Sequence, residues 1–487
     1  MRNFEICSNG DILPLEFDKK SVGLDKIDFS HLLIYNFNET LDLVIDTFND
    51  TIALLDKNTS NKLSKNPSIL TKEELNNFGN KFLSPKNDSC IENLKIRYSK
   101  DINNRKSNVY SFIICPTYSC NMRCIYCYQQ GNDDLNKKII CEENLLEIFN
   151  YIKSEEKKIK EQNKDYKIFV ELFGGEPIQS CNRDILQKVF EFARENKYFV
   201  VATTNGVEID KFYDLFLTYN GYIGAINTTV DGTREYHNSR RIYKKDIGSF
   251  DRILKNIEFL LDLNIFVTLS INIDENNINQ LKEIIGIFEE KHWLSNKYFE
   301  LQIGRVDDRL FETNYEGIIS ESKLLEYIYK LNLDFENKNI RLAFLKSIFP
   351  IAKKFNISFN QRESGRALFH YCWSTSPSTY VKYIDADLNL YRCTYSVGRE
   401  ELSIGKLNGL KDDLGYFKGH NLFNLPKCLD CKLGGYCSGG CKLSSIKDKE
   451  RQCDYELNNF NYCIENIIIP HLKEKFNYMN QCQYIEI

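Results

Sequence analysis

Thiols fall into two groups in this chain, and the spacing inside each group limits how the surrounding backbone can be built. Cys120, Cys124 and Cys127 stand in a C-x3-C-x2-C array, while Cys428, Cys431, Cys437 and Cys441 stand in a C-x2-C-x5-C-x3-C array, so seven of the 17 cysteines sit at ligand-like spacing. The N-terminus MRNFEICSNGD has neither an apolar h-region nor a cleavage site. A reducing cytosol is therefore the expected compartment, where disulfides do not persist and metal ligation is the better reading of so many thiols. No stretch approaches the roughly 18–20 apolar residues of a membrane span. With 64 basic against 68 acidic side chains and a formal net charge of −4, no nucleic-acid partner is expected. The chain is read as cytoplasmic, without membrane or nucleic-acid partners.

At 487 residues there is length for about three domains. Residues 1–105 alternate short apolar runs (FEICSNGDILPLEF, HLLIYNF, DTIALLD) with polar turns, and Thr71-Lys-Glu-Glu74 has the form of a capping box. This stretch is expected to be a small α+β module. From Val109 onward come VYSFIIC, KIFVELFGG, KYFVVATTNG, YIGAINTTVDG, NIFVTLSIN and KYFELQIG, with helical stretches such as DILQKVFEFARENK and FDRILKNIEFLLDL between them. Strands alternating with helices predict parallel βαβ units, hence an α/β fold shaped as an open or partial (β/α)6 barrel with its chemistry at the carboxyl ends of the strands. We place this core at residues 106–330 and a helical linker at 331–369. Residues 370–487, punctuated by cysteine and glycine, are expected to form a module held together by metal. The stretch KSEEKKIKEQNKDYK is read as a solvated helix face.

The triplet Cys120, Cys124 and Cys127 follows directly on the strand VYSFIIC. Three thiolates on a 4Fe–4S cluster leave one iron open, whereas a structural zinc normally takes a closed set of four ligands. Tyr126 precedes the third cysteine, the second strand ends in Gly174-Gly175-Glu176-Pro177, and the third ends in Thr204-Asn205-Gly206. Together these resemble the radical S-adenosylmethionine (radical SAM) superfamily over roughly residues 109–310. The resemblance implies that the triplet holds a 4Fe–4S cluster whose open iron chelates the methionine moiety of the cofactor, with Tyr126 against the adenine. Gly174 and Gly175, lacking Cβ, would let backbone approach the ligand, and Glu176 would supply charge near the methionyl ammonium. Thr229 and Asp231 match the family's fourth-strand S-x-D-G pattern with Thr in place of Ser, and Arg241 would reach a substrate or cofactor carboxylate. His237 is read as structural.

Further on stand Cys372, Cys393, the run CLDCKLGGYCSGGC, Cys453 and Cys463. This resembles the SPASM extension of radical SAM enzymes that modify peptides and proteins, with Leu388 where that pattern carries glycine. By the resemblance, Cys372, Cys393 and Cys441 hold one auxiliary cluster; Cys428, Cys431, Cys437 and Cys453 hold another, with Cys463 the alternative to Cys453. A zinc ribbon uses the same four-cysteine spacing. Cys7, Cys90, Cys115, Cys141, Cys181 and Cys482 have no partner spacing and are read as inert thiols.

The implied cofactors are S-adenosyl-L-methionine and three 4Fe–4S clusters, and the implied activity is that of a radical SAM oxidoreductase on a peptide or protein. A substrate cysteine bound to an auxiliary cluster would be deprotonated there, and its sulfur could close on a carbon radical to make a thioether. Anaerobic sulfatase-maturating enzymes, which make formylglycine, are usually drawn with an Asp directly after the second cysteine of the extension; Thr394 stands there. An N-terminal module such as 1–105 resembles that of maturases of ribosomally made peptides, where it binds a leader by strand addition. The expected function is thus a thioether-forming peptide maturase of the sactipeptide or ranthipeptide type, with the sulfatase-maturating class as alternative and carbon–carbon or carbon–oxygen cross-linking still open. An iron–sulfur electron carrier or zinc-stabilised binding scaffold is the reading from a different class. Expected partners are a short cysteine-containing precursor peptide with a leader and a reductant such as flavodoxin or ferredoxin. No general base can be named.

Overall fold

The computed structural model describes residues 3–7, 11–16, 28–65, 67–82, 84–86, 88–105, 107–129, 138–243, 247–335, 337–343, 346–355, 357, 367–409 and 412–483, with side chains at all of these except 14, 68, 76, 80 and 478–483. The expectation for Cys482 therefore falls outside the described side chains. Strands β1 (Phe4–Ile6), β2 (Ile12–Pro14), β3 (Leu33–Asn36), β4 (Leu41–Asp46) and β5 (Thr51–Asp56) form an antiparallel sheet in the order β2-β1-β5-β4-β3. Its two central strands, β4 and β5, are covered on both faces, which is why LVI and IALL read as unbroken apolar runs. The capping box forms as its spacing predicts: Thr71 Oγ1 accepts from Glu74 N at 3.1 Å and the Glu74 carboxylate accepts from Thr71 N at 2.8 Å, opening the helix Lys72–Lys81.

The second sheet is built from β6 (Val109–Cys115), β8 (Lys167–Leu172), β9 (Phe199–Thr203), β10 (Ile223–Thr229), β12 (Phe266–Ile273), β13 (Phe299–Arg305), β14 (Ile340–Leu342), β15 (Tyr380–Asp385), β16 (Asn389–Tyr391) and β17 (Gly405–Lys406). The short strands β7 (Arg123–Cys124) and β11 (Arg241–Ile242) pair separately. All six expected runs become strands, and β6, β8, β9, β10, β12 and β13 lie side by side in parallel. Amphipathic helices cross between them. In Arg183–Asn196, Leu186, Val189, Phe190 and Ala193 recur at helical spacing and are all buried against the sheet.

The sheet extends beyond those six strands at both ends. Its order is β14-β13-β12-β10-β9-β8-β6-β15-β16-β17, an open arrangement. The stretch 331–369, expected as a helical linker, supplies the parallel edge strand β14 as well as the helix Phe349–Lys354. More consequentially, β15 from the cysteine-rich region runs parallel to β6, in register from Tyr380↔Tyr110 to Asp385↔Cys115. The C-terminal module thus grows out of the core sheet. In the β15–β16 turn Leu388 adopts φ +64°, the left-handed conformation that the family pattern serves with glycine. Asp385 holds that turn by accepting from Asp387 N at 2.9 Å and Asn389 N at 2.8 Å, against a strain of roughly 1–2 kcal/mol for a leucine there. Among the described residues, no helix is long and apolar enough to cross a membrane.

Candidate active site and its cysteine groups

The loop bearing Cys120, Cys124 and Cys127 leaves the carboxyl end of β6 and folds over the ends of β8 and β9. Gly175 N donates to Thr117 O at 3.0 Å and Glu176 N to Ser119 O at 2.9 Å. Gly174 has φ +130°, and a Cβ on it would strike Thr117 O; one on Gly175 would strike the carbonyl oxygens of Tyr118 and Ser119. These glycines are therefore required by the backbone of the cysteine loop itself. Both still line the cavity described below.

Glu176 is used differently from the expectation. Its carboxylate is fully buried and accepts from Ile178 N at 2.7 Å, Thr204 Oγ1 at 2.6 Å and Asn205 N at 2.5 Å, and it is not among the cavity-lining residues. It ties the Gly-Gly-Glu-Pro turn to the Thr-Asn-Gly turn, whose Asn205 in turn donates to Asn121 Oδ1 at 2.7 Å in the cysteine loop. Burial lifts this carboxyl from 4.5 to about 7, against the three donors that favour its anion. A folded-state pKa above the unfolded one means the stabilisation is complete below the unfolded value and is lost as pH rises to the folded value. The urea stability of wild type relative to Glu176→Gln is expected to fall by on the order of 3 kcal/mol between pH 4.5 and pH 8; parallel stability–pH curves would refute this.

Tyr126, Asp231 and Arg241 converge on one another. The Tyr126 hydroxyl donates to Asp231 Oδ2 and accepts from Arg241 Nη1 at 2.9 Å, while Asn272 N donates to Asp231 Oδ1 at 2.9 Å. The β7–β11 pair sets Arg241 opposite Cys124, and Ile125 N donates to Arg240 O at 3.0 Å. The neighbouring Arg240 turns the other way, into a buried ion pair with Asp274, its guanidinium 5.1 Å from the Tyr126 ring centre. His237 spends both ring nitrogens internally, on Asp231 N at 3.2 Å and Ser249 Oγ at 2.9 Å, and burial holds its pKa well below the ordinary histidine value. Its structural reading fits that geometry.

Tyr126 and Arg241 line a cleft of about 240 Å³ together with all three thiols of the first group, Thr229 and Asn272. The buried Nε of Arg241 has no hydrogen-bond partner among the described residues. Burial pushes the Cys120 thiol up to about 12, with Glu176 and the other two thiols adding to it, and burial likewise raises Cys124. Thiols so placed ionise only against a strong local cation, and an open-iron cluster is one. A guanidinium lining the same space suits a carboxylate. The residues present thus fit a three-cysteine cluster with a carboxylate-bearing cofactor.

The C-terminal thiols fall into two electrostatic neighbourhoods. Cys393 is pushed up to about 12 by burial and by the charges of Cys441 and Cys372. Cys437 is raised by burial, Glu456, Cys431 and Cys428, and Cys453 by burial and Cys431. Cys463 is different: it is buried in the apolar core, with Glu321 and Glu326 as its charged neighbours. Cys453, not Cys463, is the thiol beside Cys428 and Cys431. Among the described residues, no group of three or more His, Cys, Asp or Glu converges on a single-ion site.

Two tyrosines lie between Cys127 and Cys393. Tyr128 and Tyr395 meet at 4.9 Å between ring centres, tilted by 41°, and the Tyr128 phenol feels the charges of both Cys127 and Cys393. Beside them Asp307 receives Arg305 Nη2 at 2.8 Å and pairs with Arg309; burial works against its charge, but the two guanidiniums hold the carboxyl below its ordinary value. Thr394 hydrogen-bonds the Tyr383 hydroxyl at 2.9 Å and offers no base. Sequence reasoning missed Tyr128, Asn272, Arg305, Asp307 and Tyr395. For Asn272 and Arg305 the signal existed, since they close the runs NIFVTLSIN and FELQIGR at the carboxyl ends of β12 and β13.

Residues 114–286 match the profile of the Radical SAM superfamily. This stretch is a radical SAM domain. A cysteine-type anaerobic sulfatase-maturating enzyme of Clostridium novyi is 25% identical over 356 residues, covering 68% of this chain and 87% of its own. An Fe-coproporphyrin III synthase of Methanosarcina barkeri is 27% identical over 206 residues, 40% of this chain and 47% of that one, so the chain spans about half of that relative's length. Among solved structures, native anSMEcpe with bound AdoMet superposes with a TM-score of 0.56 at 18% identity, covering 76% of this chain and 100% of that one. Streptococcus suis SuiB bound to precursor peptide SuiA superposes with a TM-score of 0.50 at 14% identity, covering 89% and 98%. These likenesses are of fold.

Proposed function

We propose that this protein is a radical SAM peptide maturase that installs a cross-link, a cysteine thioether, in a ribosomally made precursor peptide. Its domains are read as 1–105 for leader recognition, 106–330 for the core and 370–487 for the auxiliary clusters. Cys120, Cys124 and Cys127 would hold the cofactor-binding 4Fe–4S cluster; Cys372, Cys393 and Cys441 a second; Cys428, Cys431, Cys437 and Cys453 a third. S-adenosylmethionine at the first cluster supplies a carbon-centred radical able to abstract a hydrogen atom. Arg241, with its unpartnered Nε, would take the cofactor carboxylate, and Thr229 and Asn272 wall the same space. Tyr126, bonded to Asp231 and Arg241, keeps that wall rigid. Tyr128 and Tyr395 close the passage toward Cys393 and exclude water from it. The cytosol supplies the reductant, of the flavodoxin or ferredoxin kind.

The observation that carries the thioether reading is Thr394. At the position where a formylglycine-forming enzyme is drawn with a carboxylate base, this chain has a hydroxyl committed to Tyr383, and the nearby Asp307 is held as an anion between two arginines. The Clostridium novyi relative, matched over most of its length, supports the sulfatase-maturating class as the second reading. The intact mass of a short cysteine-containing peptide from the adjacent reading frame, co-expressed anaerobically with this protein or its Cys124→Ala variant, separates them. Loss of two hydrogens per cysteine, with those thiols no longer alkylated, is the expected result. Loss of two hydrogens with free thiols means carbon–carbon or carbon–oxygen cross-linking, and formylglycine on a sulfatase peptide with an unchanged precursor overturns the thioether reading.

A further inference from the structure

The β4–β5 turn of the N-terminal sheet, residues 46–51, reaches across the molecule to the second array of cysteines. Asp46 shapes the turn by accepting from Phe48 N at 2.9 Å and Asn49 N at 3.1 Å, and from Asn49 Nδ2 at 2.6 Å. Thr47, almost wholly buried, then uses its hydroxyl twice, donating to Lys432 O at 2.9 Å and accepting from Gly435 N at 3.2 Å. Tyr436 OH donates to Asp50 Oδ1 at 2.6 Å, and Arg97 from the helix Asp88–Asn104 braces the turn through Phe48 O at 2.8 Å. The Thr47 and Asp50 contacts fall on Lys432, Gly435 and Tyr436, all between Cys431 and Cys437.

Of the two glycines in CKLGGYC, Gly435 is dictated by this turn, while Gly434 is dictated first by the cysteine array itself. A Cβ on Gly435 would strike Thr47 O; a Cβ on Gly434 would strike Cys428 O and stand 2.8 Å from the Phe48 ring. Phe48 is fully buried in a small apolar cluster with Cys428, Leu422 and Phe369. A loop that carried its thiols unaided would need no glycine at 435 and no outside hydroxyl bridging its carbonyl and amide.

We propose that the β4–β5 turn is a structural wall of the site formed by Cys428, Cys431, Cys437 and Cys453, so that the N-terminal module positions those thiols in addition to any peptide it binds. The inference rests on the reading of that site as a cluster site. Thr47 is a positioning residue: its hydroxyl fixes the span between Cys431 and Cys437, and Phe48 keeps water from Cys428.

The test is iron and acid-labile sulfide per chain, with the electron paramagnetic resonance spectrum of the reduced state, in full-length protein reconstituted anaerobically. Cys431→Ala sets the loss that accompanies failure of this site. Thr47→Val is expected to lose the same complement, whereas Thr47→Ser, which keeps the hydroxyl, retains it. Phe48→Leu preserves an apolar side chain and is expected to release iron to a chelator about 10-fold faster than wild type, which keeps the test decisive should Thr47→Val not fold. If Cys431→Ala keeps full iron, the cluster reading itself is wrong. If Cys431→Ala loses iron while Thr47→Val and Phe48→Leu load, release and resonate as wild type does, the wall inference is overturned.

Discussion

Gly175→Ala is expected to lose the cofactor-binding cluster and to slow S-adenosylmethionine cleavage by about 100-fold or more, the scale on which misplacement by an ångström costs rate. The methyl group has nowhere to go: it would overlap the carbonyl oxygens of Tyr118 and Ser119, both backbone, in the loop that leads directly into Cys120. Relief requires moving that loop, and the loop is already fixed on its other side by the β7–β11 pair at Cys124. Gly221→Ala is the control, since nothing lies within 4 Å of a Cβ there. Iron content and cleavage of the cofactor in the absence of peptide read the effect. A Gly175→Ala protein with full iron and ordinary cleavage would show that the loop tolerates the displacement.

Cys393→Ala is expected to separate the two halves of the reaction. Cys393 is buried and in electrostatic contact with Cys441 and Cys372, while the first group lies across the Tyr128–Tyr395 ring contact. Removing it should reduce peptide cross-linking about 100-fold while cofactor cleavage without cross-linking continues within about threefold of wild type, the non-additive pattern of a site that acts after the first chemical step. Iron should fall by one cluster's complement. Cross-linking at the wild-type rate would remove the C-terminal group from the chemistry and leave it a structural element.

Much of this arrangement was legible in the sequence, and the reasons for the exceptions are physical. Parallel strands buried on both faces show themselves as VYSFIIC or KIFVEL, because each needs only local apolar density to be recognised. The strand β15 does not, because its partner β6 is distant in the chain and YVKYID contains a lysine that pairs with Glu155 and stacks near Tyr151 and Tyr380. The cysteine groups were legible from spacing alone. Cys453 was preferred to Cys463 from the sequence, and the helix Lys449–Cys463 adds the physical contrast by sending the latter thiol into the core. Glu176 was legible as important but not in its role, since its three donors come from two different turns. Leu388 shows the converse: the sequence departs from the family's glycine, and the backbone keeps the left-handed turn regardless, held by Asp385.

The parallel pairing of β15 with β6 also sets an order of events during synthesis. When the ribosome has delivered the chain through β14, the strand β6 has only β8 beside it and offers the hydrogen-bonding groups of Val109–Cys115 to whatever comes near. An unpaired edge of seven residues, mostly apolar, is a seam at which nascent chains stick to one another. The core cannot be finished until Tyr380–Asp385 arrives and docks, and with it Cys393 just past the next strand. The protein therefore assembles its first and last thirds together, and a core cut away from its cysteine-rich end would be born with that seam open.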